Sequence, residues 1–265
     1  MKLCVLVPLW QKKIVMKKIF FFIVLATSLQ LHVSAQFVES GEIEFEVKTN
    51  IKKTMGSSSW AEMMKDKLPN FKTNFYTYSF SQNKSLYKFD HWENKDALPE
   101  MFRKSDESST WFFDFNAGKM TMQKEVFGSA FNIKDSIRNI RWKLSNENRI
   151  IAGYNCRKAT GIIMDSVYVF AFYSDEITIP GGPCSINGLP GMILGLTIPR
   201  LYSSWIATKV TLTKPVVTEP QASKNMFNLK SAHETIIEKT KGWMGNDDDP
   251  ESRKWLDQLI WNLML

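Results

Sequence analysis

The stretch RWKLSNENRIIAGYNCRKATGIIMDSVYVFAFYSDEI, Arg141 to Ile177, decides the fold. It reads as three strands, divided at Asn146-Glu147-Asn148 or Ala152-Gly153 and again at Met164-Asp165. Asn, Asp and Gly tolerate the backbone of tight turns. The intervals are too short to hold a crossover helix, so neighbouring strands must run antiparallel.

The same pattern extends outward in both directions. SGEIEFEVKTNIK (Ser40 to Lys52) alternates Ile43, Phe45 and Val47 with Glu42, Glu44 and Glu46, the period of a half-buried strand. Asn74 to Asp90 predicts two strands about SQNK. Ser109 to Phe127 predicts a hairpin about Asn116-Ala117-Gly118, and SAFNIKD predicts a short strand. MILGLTIP and SSWIATKVTL form a last pair about RLYS. One short helix interrupts the strands between Ser57 and Pro69. There Ser59 can cap, Glu62 follows three residues on, Trp60, Met63, Met64 and Lys67 fall at helical spacing, and Pro69 ends the turn.

After about Leu212 the character changes. KPVVTEPQASKN is a Pro-containing linker, and Ser231 to Trp243 reads as a helix. A second helix starts with Asp249 as cap and Pro250 at its first position. Trp255, Leu256, Leu259, Ile260 and Leu263 make one apolar stripe along it, suited to packing on the sheet. The expected class is α+β, mainly β: a curved antiparallel meander, half-barrel-like, with a short N-terminal helix and C-terminal helices. The expected organisation is an N-terminal extension and signal peptide over 1–36, a β-rich domain over 37–212, a linker over 213–230 and packed helices over 231–265.

The formal net charge of +7 invites a nucleic-acid reading, but its distribution argues against one. Five basic residues (Lys2, Lys12, Lys13, Lys17 and Lys18) and no acidic ones lie in the first 36 positions, so the remainder is nearly neutral. Met16 to Gln36 has a basic start, an apolar run from Ile19 to Ala26 and a Val33-Ser34-Ala35 end, the pattern of an export signal cut after Ala35 or Gln36. Met16 is then the natural start, and Met1 opens an upstream extension. No later segment has spanning length, which predicts a mature chain without a membrane span, in the periplasm, at the outer membrane or outside the cell. That chain keeps Cys156 and Cys184, an even pair that can bridge in an oxidising compartment. Such a bridge would close about 28 residues and contribute about 3–4 kcal/mol.

GGPCSINGLPGMILGLTIP (Gly181 to Pro199) is rich in glycine and then turns apolar. Leu189-Pro190-Gly191-Met192 suits a type II turn, with Pro fixing φ and Gly supplying a positive φ. A phosphate cradle would need a following helix and a suitably spaced Lys, and neither is present. NGLPGMILGL, together with IAGYNCRKAT and FAFYSDEITIPGGP, resembles the GLPGLI family of exported bacterial proteins. The motif here is Gly188, Leu189, Pro190, Gly191, Met192 and Ile193, with Met192 in place of Leu. The order GSAFNIKDSIRNIRWKLSNENRIIAGYNCRKA (Gly128 to Ala159) is also similar, and the resemblance runs from about Ser40 to Leu212. It implies export, a β-rich domain, association with outer-membrane transport components and no settled activity. Cys184 departs from the family pattern, in which polar or aromatic residues are usual.

Candidate chemistry is sparse. No GxSxG occurs, and His233 lacks the second His of a zincin helix. His91 sits beside Asp90 and Glu93, a possible metal cluster. Asp175 and Glu176 are adjacent on extended chain and point to opposite faces. Met120 and Met122 share a face and offer soft sulfur ligands. Three readings result. The leading one is a non-catalytic envelope protein without a cofactor or resident metal, binding a small apolar ligand or a transport partner on a concave face lined by NFYTYSF and TWFFDF. The others are a hydrolase using Asp90, Asp135 and Asp175, and a metal handler using Met120, Met122 and His91.

Overall fold

The computed structural model describes residues 37–55, 59–126, 128–221, 226–241 and 250–265. The export segment 1–36, the Asp249 cap and the side chains of Trp60 and Trp255 lie outside the described residues. Strands take up 49% of the chain and helices 19%.

Among the described residues, twelve strands form a single open sheet: β1 (Gly41–Asn50), β2 (Phe71–Ser81), β3 (Lys84–Trp92), β4 (Thr110–Asp114), β5 (Lys119–Val126), β6 (Ser129–Ser136), β7 (Trp142–Ile151), β8 (Tyr154–Ile163), β9 (Val167–Ser174), β10 (Met192–Ile198), β11 (Ser203–Thr211) and β12 (Met226–Phe227). Their order is β12-β6-β5-β4-β3-β2-β1-β11-β10-β9-β8-β7. The chain therefore builds two antiparallel meanders, β1 to β6 and β7 to β11, joined where β1 pairs with β11. The expected single meander is replaced because β7 does not follow β6 in the sheet. Among the described strands only the two-residue β12 pairs in parallel, with β6; Val38 and Ile177 add an isolated parallel bridge.

Local chemistry explains most of the strands. Ile43, Phe45 and Val47 are buried while the intervening glutamates are not, as the alternation predicts. The hairpins turn at Gln82-Asn83, Ala152-Gly153 and Met164-Asp165, where both central residues have positive φ. That geometry matches the twist of the flanking strands. Asn146 to Asn148 is not a turn. It lies within β7, where the register with β8 slips between Leu144 and Asn148.

The helices are α1 (Ile51–Thr54), α2 (Ser59–Lys65), α3 (Lys104–Glu107), α4 (Leu229–Lys241) and α5 (Pro250–Met264). No described helix is long and apolar enough to cross a membrane. α4 begins two residues before the expected Ser231, because Asn228 caps it: Ser231 N donates to Asn228 Oδ1 at 2.8 Å, and Asn228 N donates to Ser231 Oγ at 3.1 Å. The expected linker carries β12 and an irregular strap. Glu219 pins the strap, accepting from Thr121 at 2.6 Å and pairing with Lys134 at 2.7 Å.

Candidate functional site

The glycine-rich loop between β9 and β10 is interior rather than surface. Residues 181–187 are all buried, which is unusual for a connection. Its backbone groups are therefore satisfied within the protein: Gly188 N donates to Pro180 O at 2.9 Å, Ile193 N to Gly181 O at 2.9 Å and Ser185 N to Leu265 O at 2.7 Å. The glycines permit the approach. A Cβ on Gly181 would lie 1.9 Å from the Tyr78 hydroxyl, and one on Gly191 would lie 2.2 Å from Ser174 O.

The GLPG turn is tighter than the type II turn expected. Gly191 N donates to Leu189 O at 2.8 Å, an i→i+2 closure about Pro190, whose fixed φ suits an inverse γ-turn. Met192 N is thereby freed to donate to Ile177 O at 3.0 Å, stitching the turn to the strand end after β9. Leu189, Met192 and Ile193 are all buried; Gly188 and Pro190 are exposed.

This loop and the end of α5 cover the aromatic face of the sheet. Tyr76, Tyr78, Tyr87, Trp111 and Phe113 are buried there, with Tyr76 stacked on Tyr87 at 4.7 Å. Trp111 Nε1 donates to Leu265 O at 3.0 Å. The face expected to receive an apolar ligand is thus filled by the protein's own chain. One charge lies inside it. Lys124 Nζ donates to Asn262 O at 3.0 Å and Leu263 O at 3.2 Å, and sits 4.8 Å from the Trp111 ring centroid. Burial lowers its pKa to about 8.

Cys156 and Cys184 are both buried free thiols, so the anticipated bridge is not formed. Their surroundings differ. Cys184, at φ 55°, is influenced by Lys124, Asp106 and Trp205. Cys156 Sγ lies 3.5 Å from Tyr154 O and is influenced by Ile151 and Glu176. Cys156 does face the core, and β8 does return beside β9, with Arg157 opposite Tyr173. Burial pushes Cys156 up to about 11 and Cys184 up to about 12, so neither is a reactive thiolate near neutral pH. Thiol titration of the denatured, unreduced chain from Phe37 onward is expected to find two free thiols; none would contradict the structure.

The other sequence candidates do not converge. Register runs from Lys84 through Asp114 and Lys119 to Ser136, which puts Asp135 at the opposite end of the strands from Asp90. Asp90 instead meets His91 at 2.9 Å, and His91 stacks on Phe75. Asp135 accepts from Leu229 N at 2.9 Å, and this bond and those from Ser136 hold its carboxyl below the usual range. Asp175 is exposed. Met120 and Met122 are buried core residues, whereas His91 is exposed, so the three do not share a site. His233 lines a cleft, described next. Among the described residues, no three His, Cys, Asp or Glu side chains are grouped to hold a metal ion.

Open space lies elsewhere. A cleft of about 350 Å³ is bounded by Leu229, His233, Ile260 and Trp261 of α4 and α5. A second, of about 510 Å³, lies among Ile140, Arg141, Ile162 and Ile186. Both are lined by Arg138, Met164 and Asp165. Arg138 sits in the connector between β6 and β7, and no local pattern in DSIRNIRW marks it out. Lys124 did carry a signal: it occupies the inward phase of Met120, Met122 and Val126, where an apolar residue belongs.

No family model matches the chain, and no curated protein matches it. Among solved structures it is similar to two crystal forms of PNGF-II, at 14% and 15% identity and a TM-score of 0.48. Each match covers 72% of this chain but only 31% of the PNGF-II chain. An uncharacterized conserved protein from Thermus thermophilus is similar at 6% identity and a TM-score of 0.36, covering 71% of this chain and 90% of that one.

Proposed function

We propose that this chain is an exported, GLPGLI-type accessory protein of the cell envelope that binds a ligand or partner without catalysing a reaction. The observation that carries this reading is the pair of clefts at Arg138, open space beside a core that the chain fills itself. The scattering of Asp90, Asp135 and Asp175 favours binding over hydrolysis.

A half-barrel is the shape that fits the connectivity. Ten strand-to-strand steps separate β6 from β7 in the sheet, about 48 Å if it were flat. The connector from Ser136 to Trp142 reaches at most about 20 Å. A strongly curled sheet reconciles the two distances. The buried loop then acts as an inner plug, and the clefts lie beside the connector that draws the two ends together.

Purification from the native envelope, with N-terminal sequencing and mass spectrometry of what co-purifies, tests the proposal. The expected terminus is Gln36 or Phe37, with a stoichiometric small molecule or an envelope protein retained. An intact Met1 or Met16 terminus would refute export, and turnover of an ester or glycoside by the pure protein would refute the non-catalytic reading.

A further inference from the structure

Arg138 is half-buried and lines both clefts, yet no hydrogen bond or ion pair holds its guanidinium among the described residues. Burial lowers its pKa, and Asp135 is the charge that acts against this. Asp135 cannot supply a full partner, because its oxygens already accept from Leu229 N, Ser136 N and Ser136 Oγ. A guanidinium carries five donors in a planar fork that matches a carboxylate. Partly removed from water without a full partner, such a group is costly, and a bound anion would relieve that cost.

The surrounding charge has the same sign. Arg141 and Lys230 also line the clefts, against Asp165 on the exposed β8–β9 turn. Lys230 is only loosely held by Glu234, at 4.0 Å. The remaining walls are apolar in the first cleft, where Leu229, Ile260, Trp261 and Met264 stand, and mixed in the second, where Ile140, Ile163 and Ile186 stand with Asn139 and Ser185. The apolar surface continues outward at the rim, where Ile162 and Tyr168 pair across β8 and β9 and are 46% and 56% exposed. The cleft volumes fall within the range of small-molecule sites.

We infer that the two clefts form one site for a monoanionic amphiphile, with a carboxylate held by Arg138 and an apolar chain lying against Met164, Ile260, Trp261 and Met264. This rests on the binding-protein reading above and narrows it to a ligand class. The Arg138 guanidinium, common to both clefts, receives the head group, with Arg141 and Lys230 adding to the positive field, and the apolar wall of the first cleft sets the character of the tail. Trp261 is itself held by Arg200, whose guanidinium lies 4.6 Å from the ring centroid.

Calorimetric titration of the full chain with sodium dodecanoate, dodecyl maltoside and dodecylammonium, each below its micellar concentration, tests the inference. Dodecanoate is expected to saturate one site, and the neutral and cationic amphiphiles to bind about 30-fold more weakly, the loss of one charge-assisted bidentate contact. Arg138→Gln should weaken dodecanoate by a similar factor and leave dodecyl maltoside unchanged, with Arg138→Lys falling between. Carboxyl-labelled dodecanoate followed by NMR gives a readout on the unaltered protein: its pKa should fall on binding. Equal affinity for the three amphiphiles, an unaffected Arg138→Gln variant or an unshifted carboxyl pKa would overturn the inference. Failure of every amphiphile to bind would do so too, while a ligand or partner recovered from the envelope would still uphold the broader reading; absence of both would retire both.

Discussion

Gly191→Ala is expected to lower the melting temperature by about 10 °C or more, whereas Gly118→Ala should lower it by about 2–4 °C. Both glycines have positive φ, 144° and 63°, and both substitutions add one methyl group. Their surroundings separate them. A Cβ on Gly118 meets nothing within 4 Å, so only the strain of a left-handed alanine remains, about 1 kcal/mol. A Cβ on Gly191 would lie 2.2 Å from Ser174 O, 2.7 Å from Ser174 C and 2.8 Å from Asp175 Cα. These are backbone atoms and cannot rotate away. The γ-turn would have to lift from the end of β9, breaking the bond from Met192 N to Ile177 O and unseating Leu189. Overpacking and backbone strain together cost about 4 kcal/mol. Thermal unfolding of the two variants by circular dichroism checks this; equal losses would mean that the loop is not clamped against the sheet.

The second large effect is a pH dependence. Between pH 8 and 9 the stability of the parent protein should gain about 1 kcal/mol relative to Lys124→Met. The folded pKa of Lys124 is about 8, against an ordinary value of 10.5; burial drives it down, Cys184 and Asp106 oppose the fall and Lys72 adds to it. Below pH 8 both folded and unfolded chains hold the proton, and the cost of the buried cation is present in full. From pH 8 to 10.5 the unfolded chain retains a proton that the folded chain has lost, so stability rises with pH, by about 3 kcal/mol over the whole window. Cys156, Cys184, Tyr76 and Tyr87 have raised pKa values and pull the other way at higher pH. Cys156, Tyr76 and Tyr87 act in both proteins and cancel in the difference; Cys184 is coupled to Lys124 but is pushed up to about 12, so the comparison is made between pH 8 and 9, below its titration. Methionine keeps an unbranched apolar stem one atom shorter and without the charge, at the expense of the two bonds to Asn262 O and Leu263 O. Urea unfolding at several pH values is the measurement, and parallel curves would show that Lys124 is not buried as a cation.

The two effects probe one arrangement from opposite sides. Gly191 anchors the loop to the sheet end, and Lys124 anchors the end of α5 over the aromatic face. The loop and helix end meet where Ser185 N and Trp111 Nε1 both donate to Leu265 O. Loss of either anchor uncovers Tyr76, Tyr87 and Trp111, so the variants should also bind a hydrophobic dye that the parent protein excludes.

The sequence by itself determined what depends on near neighbours. Alternation in Glu42 to Val47 set a strand and its buried face, and Ala152-Gly153 and Met164-Asp165 set two hairpins, because side-chain period and turn backbone are local properties. The Pro250 start of α5 was legible for the same reason. Only the tertiary structure decided how the hairpins join. The pairing of β1 with β11 brings together residues about 160 apart in sequence, and no local preference encodes that partnership. The fate of the GLPG loop was decided there as well. Glycine at Gly181 and Gly191 announces a special backbone, but whether it bends into solvent or presses against Tyr78 and Ser174 depends on what the folded sheet places opposite. The thiols followed the same logic: both cysteines face the core, yet a bridge needs the two sulfur atoms together, and the fold surrounds each with other side chains. Arg138 is the extreme case. Its neighbours in sequence are unremarkable, and its position between two clefts exists only once the β6–β7 connector, the β8–β9 turn and the C-terminal helices have been packed around it.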